Sequence, residues 1–272
     1  MPPGSAPPEP ATPKLEVEGL TVGFDGKVIQ REVSFRVAAG SVFAIMGGSG
    51  SGKSTLMRAM IGLVRPTAGT IRVGAEDYWG ATEARRAQID QGFGVLFQGG
   101  ALWSSMDVAA NVALPMRMLS ALDDASIRRL AEVKLSLVGL DGSGKSMPSD
   151  LSGGMVKRAG LARALALDPD ILMLDEPSSG LDPITARRLD DLIVALRDGF
   201  GMTVVLVSHD LPSLFAICDD GVFLDAESRT AIAHGAPSRL RDECEHPIVH
   251  AFMRRELPPA GQGDPGDGHG DR

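Results

Sequence analysis

The run Gly47-Gly48-Ser49-Gly50-Ser51-Gly52-Lys53-Ser54 fits the spacing G-x-x-x-x-G-K-[ST]. Residues of these types at this spacing can hold a polyphosphate. Glycines let the backbone curl until successive N–H groups point at phosphate oxygens. A helix starting here adds its positive end. Lys53 would reach the β- and γ-phosphates, and the Ser54 hydroxyl would ligate Mg²⁺. The same spacing recurs at Gly139–Ser146. The first copy follows the apolar run SVFAIM (41–46) and opens a helical pattern reaching Leu63. The second follows an amphipathic helix and runs into Met147-Pro148, and a proline disfavours helix in the residue before it. The second copy therefore reads as a Gly/Ser turn. A G-x-G-x-x-G dinucleotide loop does not fit the first copy, which argues against a Rossmann dehydrogenase.

Phosphoryl transfer needs a held metal, a positioned water and charge at the γ-phosphate. The run Ile171-Leu-Met-Leu174 is a buried strand that delivers Asp175 and Glu176 to its carboxyl end, the edge where open α/β sheets bind ligands. Asp175 would hold Mg²⁺, and Glu176 would orient or deprotonate the attacking water. Val204–Val207 repeats the design and ends at Ser208-His209-Asp210, which places His209 at the same edge. Gln98 follows the strand GVLF and has an amide that can reach metal or water, although a glutamine at a strand end is common. Ser152 is a good N-cap for a long helix, and Gly153 and Gly154 free more N–H groups than a cap needs. A closely approaching phosphate would explain them.

The elements that must position these groups follow from the pattern. Leu15–Val22, Val28–Val37, Ser41–Met46, Thr70–Val73 and Gly94–Phe97 read as strands, with Gly26 and Lys27 turning the first pair. From 99 to 168 only helical spacing appears, over Asp107–Leu119, Ala125–Val138 and Ser152–Leu167. Strands then alternate with helices again: Ile171–Leu174, Pro183–Arg197, Thr203–Val207, Leu211–Ile217 and Val222–Leu224. Such alternation implies a parallel sheet covered on both faces, with the helical stretch as an inserted subdomain. The organisation expected is a core over 14–98 and 169–235, a helical subdomain over 99–168, and a helical extension over 236–257. The extension would pack on its own domain or reach a dimer partner. Residues 1–13 and 258–272 have the composition of disordered ends.

Composition narrows the classes. The chain has 272 residues, 43% apolar and 23% charged, with a net charge of -8. That is ordinary for a globular protein, and the acidic balance argues against a nucleic-acid partner. No apolar run is long enough to span a membrane, and Met1-Pro-Pro-Gly4 lacks the pattern of a signal peptide. Membrane contact would go through a partner. Cys218 and Cys244 form no CxxC pair and read as idle thiols.

Together these segments resemble the nucleotide-binding domain of ABC transporters, over about residues 15–235. GGSGSGKST resembles Walker A, from Gly47 to Thr55, and ILMLDE resembles Walker B with its catalytic glutamate. LSGGM resembles the signature, VSHD the His switch, Gln98 the Q-loop and Ser179-Gly-Leu-Asp182 the D-loop. The resemblance implies a P-loop NTPase of α/β class: a RecA-like parallel sheet, an N-terminal antiparallel β subdomain and the helical insert. It implies an ATPase that binds ATP and Mg²⁺ and closes with a second copy of itself. Ser152, Gly153 and Gly154 would then cap the partner's nucleotide, with Asp182 beside them. Phe24 falls where the family stacks an aromatic, more often Tyr, on adenine; from its sequence context alone it reads as a core residue beside a turn. The signature departs from the family's usual Gln in carrying Met155.

LSGGMVKRAGLARA and LFQGGALWSSMDVAANVALPMR are similar to the ATPases of Mla-type lipid transporters, which act with MCE-domain proteins. That implies a motor for phospholipid transport at the cytoplasmic face of a bacterial inner membrane, docked to a multi-span permease near Gln98–Met106. Leu102, Trp103 and Met106 would serve that interface or the core of the insert. The alternative is an importer ATPase for a small polar solute such as an amino acid.

Overall fold

The computed structural model describes residues 13–24 and 26–256. The expected disordered ends lie outside the described residues, apart from Pro13. Two sheets form. The first is antiparallel, from β1 (Leu15–Phe24), β2 (Lys27–Val37), β4 (Ala68–Val73) and β5 (Glu76–Asp77), in the order β2-β1-β4-β5. The second contains β3 (Val42–Gly47), β6 (Phe93–Leu96), β7 (Ile171–Asp175), β8 (Thr203–Val207), β9 (Asp220–Leu224) and β10 (Ala231–His234), in the order β10-β9-β3-β8-β7-β6. It is parallel except for β10.

The period of two along each central strand explains why these runs read as continuous apolar stretches. Val42, Ala44 and Met46 of β3 enter one apolar core, and Phe43 and Ile45 enter the other. Leu172 and Leu174 of β7 divide from Ile171 and Met173 in the same way, as do Val204 and Leu206 of β8 from Val205 and Val207. Both faces are therefore covered, as a parallel sheet requires. One core lies beneath the antiparallel sheet and α1 (Lys53–Met60), and the other lies beneath the helices that follow residue 107.

The helical stretch contains α3 (Val108–Leu119), α4 (Asp124–Leu137) and α5 (Gly153–Ala164), each N-capped by an Asp or Ser side chain. Glycine lets α5 lie directly on the sheet edge: a Cβ on Gly160 would come within 2.7 Å of Leu96, and one on Gly94 within 2.4 Å of the Ala164 carbonyl. The second G-x-x-x-x-G-K-S copy is a turn, as expected. Its Gly144 and Ser146 carbonyls accept from the Ala109 and Val108 N–H groups at the start of α3, and a short 3₁₀ turn (Pro148–Asp150) follows.

Several elements depart from the sequence reading. The turn after β1 includes Gly26, and Lys27 already belongs to β2. α1 ends at Met60 and α5 at Ala164, whereas α6 (Pro183–Phe200) continues to Gly201, a left-handed C-cap. α2 (Glu83–Asp90) was not foreseen because it buries no residue and so shows no apolar period. The extension is two short helices, α8 (Pro237–Glu243) and α9 (Pro247–Arg254), with a Pro opening each. α7 (Leu211–Ile217) precedes them and packs against α8. α9 packs on its own chain: Phe252 meets Phe223 edge to face with centroids 5.0 Å apart.

Candidate active site

The carboxyl ends of β3, β7 and β8 meet in register, with Ile45 paired to Val207 and Val207 to Asp175. A cleft of about 860 Å³ opens there, lined by Gly48, Ser49, Gly50, Ser51, Gly52, Lys53, Ser54, Thr55, Gln98, Glu176 and His209, among others. Parallel strands all present their carboxyl ends to one edge, so residues far apart in sequence converge without any local signal.

The loop geometry depends on missing side chains. Gly47 has φ 145°, and a Cβ there would sit 2.3 Å from the Leu224 carbonyl oxygen. Gly52 has φ 81°, with Ile29 2.6 Å from where its Cβ would be. Cβ atoms on Gly48 and Gly50 would meet nothing within 4 Å, so the backbone is open on the cleft side. Buried Gln30 pins the loop from behind, donating to the carbonyls of Ser51 at 2.8 Å and Asp225 at 2.9 Å. No side chain caps the N-terminus of α1, and its free N–H groups suit an anion. Lys53 folds back, donating to the carbonyls of Gly47 at 2.9 Å and Gly48 at 2.8 Å. Burial pulls its pKa below the usual lysine value, against the opposing fields of Glu176 and Asp175.

Ser54 Oγ donates to Asp175 Oδ1 at 3.1 Å. Burial raises the Asp175 pKa, opposed by the Ser54 bond and reinforced by neighbouring Glu176. These two hard oxygen donors are what Mg²⁺ takes, with water and phosphate completing its shell. Among the described residues no cluster of three or more His, Cys, Asp or Glu could hold a metal without such help.

Glu176 adopts φ 49°, and its N–H donates to the Val207 carbonyl at 2.9 Å. Its Oε1 lies 2.7 Å from His209 Nδ1, while Oε2 is buried with no partner. A buried carboxylate oxygen left unpaired is costly.

The remaining expected residues stand apart from this cleft. Ser152 Oγ caps α5, accepting from Met155 N at 3.3 Å, and lines a separate groove with Gly154, Arg158 and Thr185. Gly154 has a reason within the chain, because its Cβ would come 2.6 Å from Thr185. A Cβ on Gly153 would meet only Leu181, at 3.8 Å. The excess of glycines over a simple cap is thus half explained by packing. Asp182 caps α6, accepting from Ile184 N at 3.1 Å and Thr185 N at 3.0 Å. Phe24 ends β1, is 44% exposed and is not among the cleft's lining residues. Lys27, Val28 and Ile29, across the hairpin, do line it.

Of the three apolar residues after Gln98, Trp103 is 57% exposed, while Leu102 packs on the core and Met106 is half-buried. Buried Asn111 fixes this loop, accepting from Trp103 N at 2.7 Å and donating to the Trp103 and Met106 carbonyls at 3.1 Å. The sequence reading missed Arg229 and Phe252 at the cleft and Gln30 and Lys157 behind it. Lys157 falls inside LSGGMVKRAGLARA with no chemical signal of its own, the others lie in no local motif, and only the β9–β10 hairpin and α9 bring Arg229 and Phe252 there. Cys218 and Cys244 are free and half-buried.

Comparison with known proteins bears on these residues. The family model described as ABC transporter matches residues 30–179. The intermembrane phospholipid transport system ATP-binding protein MlaF of Escherichia coli is 41% identical over 221 residues, 81% of each chain. The probable ribonucleotide transport ATP-binding protein mkl of Mycobacterium tuberculosis is 37% identical over 254 residues, 93% of this chain and 70% of that protein. Among solved structures, the ATP-binding cassette MJ0796, dimeric in a post-hydrolysis state bound to ADP and Pi, superposes with a TM-score of 0.73. It is 26% identical, covering 81% of this chain and 97% of that one.

Proposed function

Because this chain belongs to the ABC transporter family and is an ATPase, we propose that it is the motor subunit of a membrane complex that moves phospholipid. It works as one half of a dimer closed around ATP. The observation that carries the hydrolytic part is the Glu176–His209 pair at the rim of the phosphate cradle, with both side chains lining the cleft. The likeness to MlaF favours a phospholipid cargo over a small polar solute.

When ATP enters, Lys53 exchanges the Gly47 and Gly48 carbonyls for β- and γ-phosphate oxygens. The N–H groups of the loop and of α1 take the remaining phosphate charge. Ser54 and Asp175, with the Gln98 amide facing the same cleft, would hold Mg²⁺, which when bound neutralises charge on the β- and γ-oxygens. Glu176 accepts a hydrogen bond from the attacking water and takes its proton as the new P–O bond forms. The β,γ-bridging bond breaks, and its electron pair leaves with ADP. His209 holds Oε1 and so restricts how the carboxylate can turn at the cleft.

Ser152 and Gly154 line a groove away from their own cradle, which suits them and the intervening Gly153 to the nucleotide of a second copy. Asp182, at the start of α6, would lie along that dimer face, and Phe24 at the end of β1 would flank the adenine. The exposed, rigidly held Trp103 suits a docking point for a multi-span permease. No helix among the described residues is long and apolar enough to cross a membrane. The cytoplasmic face of the inner membrane is then reached through the permease, with an MCE-domain lipid-binding protein in the same assembly. No nucleic acid takes part.

The test is to tag the chain, extract its complex in mild detergent and identify what copurifies. A permease with an MCE-domain protein and bound phospholipid is expected. A permease with a solute-binding protein refutes the phospholipid reading. In parallel, Glu176→Gln should lower turnover at least about 100-fold while ATP still binds, and unchanged turnover removes Glu176 from its role.

A further inference from the structure

Behind the cleft lies a cation with uncharged partners. Lys157, on α5, is 5% exposed. Its ammonium donates to the main-chain carbonyl of Gln98, to that of Glu176 at 3.0 Å and to Ser179 Oγ at 3.5 Å. An ammonium has three N–H donors and no acceptor, so these contacts use all of it. Burying a charge is costly unless it is paired and hydrogen-bonded. Burial pulls the Lys157 pKa down, and the fields of Glu176 and Asp175 push it back. Simple space-filling at this position would be better served by an apolar side chain.

The three acceptors belong to three separate segments: the end of β6, the turn after β7, and the lead-in to α6. Gln98 and Glu176 line the cleft, and Ser179 lines the adjoining cavity together with Glu176 and His209. Glu176 holds a left-handed backbone, which is strained for a non-glycine residue and persists only where its surroundings enforce it. Its N–H is held by Val207, and its carbonyl accepts from Lys157 at 3.0 Å as well as from the Ser179 N–H at 3.2 Å. These bonds flank the Cα from which the carboxylate is aimed, and only the one from Lys157 ties it to α5. Lys157 also sits about 7.5 Å along α5 from Ser152, at about 1.5 Å per residue.

We propose that Lys157 is a positioning residue for ATP hydrolysis: it clamps the main chain of Glu176 and Gln98 to the helix that Ser152, Gly153 and Gly154 open. This rests on the reading that Glu176 acts on the attacking water. Seating the first turn of α5 against a phosphate and aiming the carboxylate become one mechanical event, because a single helix carries both contacts.

The test compares Lys157→Met, which removes the donors, with Lys157→Gln, which keeps two N–H donors without charge. Both are made in the full chain, with thermal midpoints recorded. Equilibrium binding of a fluorescent ATP analogue gives Kd, and steady-state hydrolysis gives kcat and KM. Because Lys157 is not among the cleft-lining residues, Kd should stay within about threefold in Lys157→Met while kcat falls about 100-fold. Lys157→Gln should recover about tenfold of that loss. A folded Lys157→Met with wild-type kcat overturns the proposal. So does a fall in kcat that merely tracks lost ATP binding and stability without rescue by Gln. If the Met variant does not fold, Lys157→Gln decides: reduced kcat at unchanged Kd supports the clamp, and unchanged kcat overturns it. Glu176→Gln is measured alongside. Retained turnover there fails the reading of Glu176, whereas a dead Glu176→Gln beside an active Lys157→Met fails only the clamp.

Discussion

The substitution Asp190→Asn should stabilise the protein at neutral pH and do so less in acid. Asp190 lies on α6, 3% exposed, beside the cavity that Glu176 and His209 border. Ser213 Oγ lies 2.8 Å from Asp190 Oδ2 and 3.0 Å from Asp210 Oδ2. One hydroxyl proton serves only one of these bonds, so the second requires a proton on a carboxyl. Burial raises the Asp190 pKa from 3.8 to about 6, partly offset by the Ser213 bond and reinforced by Asp210. At about 1.4 kcal/mol per tenfold change in acidity, that rise corresponds to about 3 kcal/mol. For an acid whose folded pKa lies above its unfolded one, the native state binds more protons inside the window. Stability therefore falls as pH rises from about 4 to about 6 and stays lower above it. The asparagine side chain of the Asp190→Asn variant cannot ionise, and its amide can donate to Ser213 while Ser213 donates to Asp210. The assay is urea unfolding of both proteins from pH 4.5 to 8. The variant should gain about 2–3 kcal/mol at pH 8, and the gain should shrink to about 1 kcal/mol at pH 4.5. A pH-independent difference, or a variant less stable at pH 8, would refute the reasoning.

Other outcomes follow from the same geometry. Lys53→Ala should keep the thermal midpoint within a few degrees, since it removes a buried cation bonded only to carbonyls. It should weaken ATP binding about 10- to 100-fold, the worth of a hydrogen bond to a charged group. Gly47→Ala should cost about 2–4 kcal/mol in denaturant unfolding, because its Cβ would press on the Leu224 carbonyl. Trp103→Glu should abolish copurification of the permease, at a loss above about 2 kcal/mol for a buried interface anchor, while ATP binding to the isolated chain stays intact.

Much of the site was legible before any fold was known, because its phosphate chemistry is local. Strand, glycine loop and helix follow one another within a short span, so Gly47–Thr55 carries its own context. Pro148 marked the second copy as a turn for an equally local reason. Asp175, Glu176 and His209 were legible because a short apolar run flanked by polar residues reads as a buried strand, and a buried parallel strand can only end at the ligand edge. α2 was not legible, since a helix with no buried face leaves no period to find.

By itself, then, the sequence determined the class of chemistry and the side chains proposed for it, because backbone curl, strand burial and helix capping are set by near neighbours. It also determined that both faces of the sheet are covered. Only the tertiary structure decided how those side chains are held. Gln30 reaching behind the loop, Thr185 accounting for Gly154, Phe252 arriving from α9 and Lys157 joining three segments all span long separations in sequence. Such contacts depend on which elements the packed sheet brings together, and no local pattern of residue types encodes that.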